Sequence, residues 1–122
     1  MRVAIVGSRS VRESGLVARA VEESGFPVRH LVTGGARGVD SSAERWARRH
    51  GIPVTIHRAK WRRYGSAAGP IRNQQVVDDA EAVIAVWDGT STGTADTVER
   101  ARKRGIPVFV LRPGCGDQRE TP

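Results

Sequence analysis

Hydrophobic residues along the chain form short continuous runs, separated by longer segments in which apolar positions recur every three or four residues. The runs 3–6, 82–86 and 108–111 are apolar throughout, which is typical of parallel strands covered on both faces. The intervening segments have helical spacing. Its clearest examples are Leu16, Val17, Ala20 and Val21 on one face, and Val39, Ala43, Trp46, Ala47 and His50 on another. The pattern predicts alternating strands and helices.

A repeated Gly-x-Pro-Val motif marks three boundaries between these segments, at 25–28, 51–54 and 105–108. Glycine readily adopts the left-handed conformation that ends a helix, and proline prevents its continuation, so each motif indicates a helix-to-strand junction. Predicted strands then lie near residues 2–6, 28–33, 53–57, 82–87 and 107–111. The third strand alternates apolar and polar positions, which favours an edge position and the order 3-2-1-4-5.

The predicted fold is α/β: a single doubly wound, Rossmann-like, parallel five-stranded sheet. In that order the strand sequence reverses between strands one and four, where such folds bind ligands. With 122 residues, we expect one domain over residues 1–112, followed by a disordered tail over 113–122.

Cellular location is suggested by what the sequence lacks. No segment approaches the ~20 apolar residues of a membrane span, and the amino-terminal apolar run is too short for a secretory signal. The single Cys115 fits a reducing compartment. We therefore expect a cytoplasmic protein that does not associate with membranes.

The formal net charge of +7 favours an anionic partner such as a nucleotide, nucleic acid or lipid head group. A structural explanation competes, because many cations fall in the last turns of predicted helices, where they offset the helix dipole. Glu44 with Arg48, and Glu99 with Lys103, also have the acid-first spacing of four that stabilises helices. Net charge alone is therefore weak evidence for a partner.

Four glycine-containing or polar stretches, at residues 7–9, 33–40, 69–73 and 88–94, follow strands or open helices. The predicted topology brings all of them to one edge of the sheet. Two are glycine-rich strand-to-helix turns, which let backbone amides approach a phosphate at the positive end of a helix. Alternatively, each is only a tight turn with helix caps. The candidate phosphate- or ligand-binding residues are Gly7, Ser8, Arg9, Gly34, Gly35, Ala36, Arg37, Gly38, Asp40, Arg72, Asn73, Ser91, Thr92, Gly93 and Thr94.

Within these stretches, the side chains allow more than one role. Arg9, Arg37 and Arg72 could each grip a phosphate, or be solvated surface arginines. Asp40 could bond a ribose hydroxyl or cap the second helix. Asn73 could bond a base edge or local backbone.

The connection between residues 58 and 69 is long for a small α/β domain, and long connections at such sites are often lids. We expect Trp61, with Tyr64, to stack on a base, or alternatively to anchor the loop to the core. His30, His50 and His57 lack metal-ligand spacing, so no metal is expected. No cofactor is expected either. The chain also lacks a Gly-x-Gly-x-x-Gly motif after the first strand, a Gly-Lys-Ser/Thr phosphate loop and a nucleophile elbow. The enzyme classes that depend on these motifs, dinucleotide oxidoreductases among them, are therefore disfavoured.

The motifs together resemble those of small stand-alone proteins of the SLOG superfamily. The resemblance spans residues 3–111 and rests on 7–9, 34–40, Trp61, 68–73 and Ser91-x-Gly93-Thr94. This superfamily includes cytokinin-activating phosphoribohydrolases (formerly lysine decarboxylase-like), sensors of ADP-ribose-related nucleotides, and the DNA-processing protein that binds single strands. The resemblance implies a Rossmann-like fold, a nucleotide-related ligand and a homodimer.

The resemblance also bears on catalysis. Arg72 matches the family's catalytic arginine, but Thr97 occupies the position of the glutamate that serves the chemistry. We expect Asp96 to be turned ~100° away from that face, which leaves Asp40 as the other candidate catalytic residue beside Arg72. The sequence thus predicts a binder of a nucleotide or nucleotide derivative (nucleoside phosphate, ADP-ribose or NAD-like). Phosphoribohydrolase activity and weak single-stranded DNA binding are the alternatives.

Overall fold

A computed structural model describes residues 1–11, 15–113 and 119–120 of the chain. Strands and helices alternate along it, as the apolar pattern predicts. The elements are β1 (Arg2–Gly7), α1 (Gly15–Ser24), β2 (His30–Thr33), α2 (Val39–Arg49), β3 (Val54–Ile56), α3 (Trp61–Tyr64), a 3₁₀ turn (Gly65–Ala67), α4 (Ala68–Asp78), β4 (Ala82–Val86), α5 (Thr92–Arg104), β5 (Val108–Leu111) and β6 (Arg119–Glu120).

The five longer strands form a parallel sheet in the order β3-β2-β1-β4-β5. This order is the predicted one, and the Rossmann-like fold is confirmed. The two-residue β6 adds an antiparallel edge to β5. It falls within the segment predicted to be a disordered tail, of which 114–118 and 121–122 lie outside the described residues.

Both faces of the sheet are covered by helices, which explains why the central strands are continuously apolar. Along β1, Val3 and Ile5 pack on the face that carries α1 and α2. Ala4 and Val6 pack on the opposite face against α4 and α5. All four side chains are buried, so β1 has no polar face.

The repeated glycines end helices as predicted. Gly25, Gly51 and Gly105 have φ angles of 73°, 65° and 79°, which lie in the left-handed range that glycine adopts without steric penalty. Gly105 is the C-cap of α5, and its amide donates to the Arg102 carbonyl. Because each of these helices returns the chain to the start of the next strand, the five longer strands point the same way and their carboxyl ends meet at one edge. Among the helices described, none is long and apolar enough to cross a membrane.

Candidate functional site

A cleft of about 780 Å³ opens where β1 and β4 end, at the point where the strand order reverses. The loops after β1, β2 and β4 and the first turns of α4 and α5 form its walls. Its lining residues are Val6, Gly7, Arg9, Ser10, Gly34, Ala36, Asp40, Trp61, Gly69, Pro70, Arg72, Asn73, Val76, Asp88, Thr90, Ser91, Thr92, Gly93, Thr94, Asp96 and Thr97.

Most of the residues predicted from the sequence therefore meet in this cleft, but Ser8, Gly35, Arg37 and Gly38 do not line it. Arg37 is exposed to solvent. Gly35 faces Ile56 and Arg58, because a Cβ built on it would lie 2.8 Å from the Ile56 side chain. Of the predicted arginines, only Arg9 and Arg72 reach the cleft.

Ser8 and Gly38 hold the loops of the site together. The Asp88 amide donates to the Ser8 hydroxyl (2.9 Å), and the Val39 amide donates to the Ser8 carbonyl (3.4 Å). Gly38 has a φ of 72°, and a Cβ there would lie 2.5 Å from the carbonyl oxygens of Ser8 and Arg9. The amino terminus of α2 therefore packs against the first loop, and its first amide is occupied within the protein.

Asp40 is a buried carboxylate in the wall of the cleft, with only 4% of its surface exposed. It accepts a hydrogen bond from the Ala36 amide at 3.2 Å. Burial raises the pKa of Asp40 to about 6, against the opposing effects of the Ala36 amide and the charge of Arg72. The alternative in which Asp40 caps α2 is wrong, because Gly38 is the N-cap and no side chain caps that helix end.

Arg72 lines the same cleft and carries the positive charge that interacts with Asp40. Its guanidinium donates to the Gly34 carbonyl at 2.7 Å and to the Asn73 side-chain oxygen at 3.0 Å. Burial lowers the pKa of Arg72, Asp40 opposes this effect, and Arg9 adds to it. A Cβ on Gly34 would lie 2.7 Å from the Arg72 side chain, so the glycine makes room for the arginine. Arg72 therefore supports the loop as well as facing the cleft.

Asn73 bonds protein groups through both ends of its amide. Its oxygen accepts from Arg72, and its nitrogen donates to the Asp96 carboxylate at 3.0 Å and to the Gly93 carbonyl at 3.4 Å. The structure does not show the expected bond to local backbone, because two of these partners are side chains and the Gly93 carbonyl lies 20 residues away in sequence. Asn73 joins the first turn of α5 to α4.

The first turn of α5 leaves two backbone amides open beside the cleft. Ser91 is the N-cap: its hydroxyl accepts from the Thr94 amide, and its carbonyl accepts from the Ala95 amide. The preceding amides, of Thr90 and Ser91, donate to Asp88 at 2.8 Å each. In the hydrogen bonding of the described residues, the Thr92 and Gly93 amides have no acceptor.

Asp88 was missed as a site residue in the sequence. Its carboxylate accepts the two amides of its own loop, which lowers its pKa below the usual range. The signal was present, since an aspartate followed by glycine is typical of a turn in which the side chain bonds the backbone ahead of it. Gly69, Pro70 and Thr90 also belonged to the stretches singled out.

The amino-terminal half of the chain carries a family signature. The model of the YspA, cpYpsA-related SLOG family (YAcAr) matches residues 1–64, just over half of the chain. The chain belongs to this family. The resemblance to the SLOG superfamily is thus confirmed. The SLOG chain is also 40% identical over 120 residues to the Gene 61 protein of Mycobacterium phage D29, covering 88% of this chain and 94% of that protein.

Among solved structures, the SLOG chain resembles DNA processing protein A (DprA) from Streptococcus pneumoniae, with a TM-score of 0.75 and 22% sequence identity. The match covers 95% of this chain and 52% of that one. The chain therefore spans about half the length of DprA, and the likeness is one of fold.

In this SLOG domain, one carboxyl group lies close to Thr97 in the wall of the cleft. The Thr97 hydroxyl donates to the Gly93 carbonyl at 3.1 Å, and Asp96 lines the cleft beside it. Asp96 lies on a different helix face from Thr97, as expected, but it also lines the cleft, because the cleft spans more than one face of the first turns of α5. Burial raises the pKa of Asp96, but hydrogen bonds from Arg100 and Asn73 outweigh burial and hold it below the usual range.

Proposed function

We propose that the cleft binds a nucleotide or a nucleotide-derived ligand, such as a nucleoside phosphate or an ADP-ribose-like molecule, with a phosphate at the amino terminus of α5. The observation that carries this proposal is the pair of open amides of Thr92 and Gly93 in a cleft that Arg9 also lines. A helix amino terminus with free amides favours an anion. At the corresponding end of α2 the first amide donates to the Ser8 carbonyl, and of the next two residues only Asp40 lines the cleft. Thr92 and Gly93 both line it, so α5 is the better phosphate site.

The dimensions and position of the cleft support the same proposal. Its volume of about 780 Å³ falls within the ~300–1,000 Å³ of typical small-molecule sites. Its place at the reversal of strand order is where open α/β sheets bind ligands. Family membership agrees with a nucleotide-related ligand. The matched solved structure is that of a DNA processing protein, which makes nucleic acid the alternative ligand.

The test compares two arginines of neighbouring loops. Nucleoside monophosphates, NAD and ADP-ribose are first screened by thermal shift, since a ligand at ~100 times its Kd stabilises the native state by ~2.7 kcal/mol. Calorimetric titration of the best ligand then compares Arg9→Ala with Arg37→Ala. We expect Arg9→Ala to weaken binding by ~1.5–3 kcal/mol, as for a lost charged hydrogen bond.

Arg37→Ala is the matched control, because it removes the same charge from a side chain outside the cleft. Equal losses in both variants would show that the effect is one of overall charge and not of the cleft. Absence of binding by any nucleotide would refute the proposal. Arg72→Ala is less suitable, because it also removes the donor to Gly34 and the cation near Asp40.

Hydrolysis of an N-glycosidic bond is the second candidate, and Asp40 is the observation that favours it. A carboxyl group with a pKa near 6 in a cleft can exchange a proton close to neutral pH. Thr97 at the family's glutamate position argues for slow or absent turnover. Incubation with nucleoside 5′-monophosphates, with free base followed by chromatography, tests this. Robust base release that is abolished in Asp40→Asn would make the protein an enzyme, and Asp96→Asn and Thr97→Glu are run beside it.

The homodimer and the cytoplasmic location expected from the sequence stay predictions. Light scattering coupled to size-exclusion chromatography tests the first, with a molar mass twice that of the chain as the expected result.

A further inference from the structure

Trp61 differs from the other two tryptophans of the chain because its ring does not pack against the hydrophobic core. Trp46 packs against the core on the α1 and α2 face. Trp87 packs on the other face, and its indole donates to the Ser91 carbonyl at 3.0 Å. Trp61 belongs to neither group of core contacts and is 51% exposed. The alternative in which it anchors its loop to the core is therefore not supported.

The segment that carries Trp61 is built entirely at the surface. Helix α3 has four residues and no buried side chain. Tyr64, at its end, is 38% exposed and is the other large hydrophobic side chain left open among the described residues. An aromatic ring exposed to this extent has apolar area that a ligand could remove from water.

The ring is nevertheless placed at the cleft. Trp61 lines it together with Gly69 and Pro70 of the first turn of α4. A Cβ built on Gly69 would lie 3.5 Å from Cη2 of the indole, so the six-membered ring lies beside bare backbone. Because no side chain projects from residue 69, this wall of the cleft presents an aromatic ring.

We propose that Trp61 is the stacking platform for the base of the bound nucleotide, while its phosphate lies at the first turn of α5. This inference rests on the proposed function and narrows it to ligands that carry an aromatic base. Stacking on an indole tolerates any base, because every base has a π face. Trp61 would therefore distinguish nucleotides from sugar phosphates that share the phosphate group, and it would distinguish poorly among bases.

The experiment measures how much of the affinity comes from the base, with and without the indole. The four nucleoside 5′-monophosphates and ADP-ribose are titrated by calorimetry against wild type, Trp61→Ala and Trp61→Phe, and ribose 5-phosphate is titrated in parallel. In wild type, we expect at least one base-containing probe to bind about 10-fold or more tightly than ribose 5-phosphate, or ~1.4 kcal/mol. Trp61→Ala should remove most of this difference and leave ribose 5-phosphate unchanged, whereas Trp61→Phe should keep most of it.

Fluorescence gives a second readout that reports the ring itself. Stacking of a base on Trp61 should quench its emission, so the quench should persist in Trp46→Phe and disappear in Trp61→Phe. Thermal unfolding of the variants checks that they fold, and a half-exposed side chain predicts little change for Trp61→Ala.

Each outcome separates the platform from the proposed function. If nucleotides bind but Trp61→Ala alters neither probe, or weakens both equally, the stacking role is overturned and the binding function stands. If neither nucleotides nor ADP-ribose bind the wild type, the proposed function fails and the platform fails with it. Loss of the base-dependent share of affinity in Trp61→Ala alone supports both.

Discussion

One residue of the cleft wall is buried in a way that disfavours its ionised form. This residue is Asp40, whose carboxylate is buried beside Arg72 and accepts a hydrogen bond from the Ala36 amide. Its pKa is raised from 3.8 to about 6. Between these values the native protein holds a proton that the unfolded chain has released. The contribution of Asp40 to stability therefore falls as pH rises from about 4 to about 6, and the ionised form is disfavoured above that.

Replacing Asp40 tests this at the residue scale. We expect Asp40→Asn, which mimics the protonated group, to gain stability over wild type as pH rises, by up to ~3 kcal/mol near pH 7.5. Urea unfolding at several pH values from 4 to 7.5 measures the difference between variant and wild type. Asp96→Asn is the control of opposite sign, since the pKa of Asp96 is lowered and its loss should destabilise the protein at neutral pH and less in acid. A pH-independent difference for Asp40→Asn would contradict the raised pKa.

Gly38 provides a second prediction at this scale. Its φ of 72° resembles that of Gly25 (73°), but a Cβ on Gly38 would meet the Ser8 and Arg9 carbonyls at 2.5 Å, whereas one on Gly25 would meet nothing within 4 Å. Gly25→Ala should cost about 1–2 kcal/mol, through backbone conformation alone. Gly38→Ala should cost about 1–3 kcal/mol more, because the added methyl displaces backbone and because its ψ of −121° lies outside the left-handed region open to alanine. Similar unfolding free energies in urea for the two variants would refute the close approach of the loops.

At the scale of elements, the two helices that open toward the sheet edge have different roles. The amino terminus of α2 is docked on the first loop through Ser8. The amino terminus of α5 is capped by its own Ser91 and tied to α4 by Asn73. The first residue of α2 is therefore held against the first loop, whereas Thr92 and Gly93 of the first turn of α5 line the cleft.

Removal of the α5 cap is the prediction that belongs to this scale. Ser91→Ala should destabilise the protein by about 0.5–2 kcal/mol, the usual loss for an N-cap serine. It should also weaken nucleotide binding, because the first turn of α5 loses the hydroxyl that fixes the Thr94 amide. Thr92→Ala is the control, since that exposed residue supplies only its backbone amide. Urea unfolding and calorimetry of both variants measure the effects, and an unchanged Ser91→Ala would show that the cap is unimportant.

Across the whole molecule, the positive charge divides into paired and exposed groups. The helix pairs predicted by spacing are both formed: Arg48 lies 3.6 Å from Glu44, and Lys103 lies 3.2 Å from Glu99. Other cations stand exposed in the loops after β1, β2 and β3 and on α3. These are Arg9, Arg37, Arg58, Lys60, Arg62 and Arg63. Part of the basic excess is therefore helix surface, and part faces the same edge as the cleft.

This distribution limits binding to single-stranded nucleic acid. With about six exposed cations at this edge, the logarithm of affinity should fall with the logarithm of salt concentration with a slope no steeper than about −4. Fluorescence anisotropy of a labelled single strand at 50–200 mM NaCl measures this slope. Arg62→Ala/Arg63→Ala should make it shallower than Arg49→Ala/Arg102→Ala, which removes equal charge from α2 and α5. Submicromolar affinity at physiological salt would instead favour nucleic acid as the ligand.

The sequence by itself determined the features that follow from local rules. Apolar periodicity predicted the alternation of strands and helices, and the glycines at 25, 51 and 105 predicted the chain reversals. The alternating apolar and polar residues of the third strand predicted its edge position and the strand order. That order brings the loops after β1 and β4 together at one edge, so the position of the cleft followed as well.

Only the tertiary structure decided which of the converging groups remain open to a ligand. The amides of Asp88, Thr90 and Ser91 donate to Ser8 or Asp88, and the first amide of α2 donates to Ser8. Arg37 lies outside the cleft, whereas Asp96 lines it. The Ser8 hydroxyl and the Asp88 amide are 80 residues apart in sequence, and no local pattern encodes such a pair. Backbone donors are alike in every glycine-rich turn, so their availability depends on which distant acceptor the packed chain brings within hydrogen-bond distance.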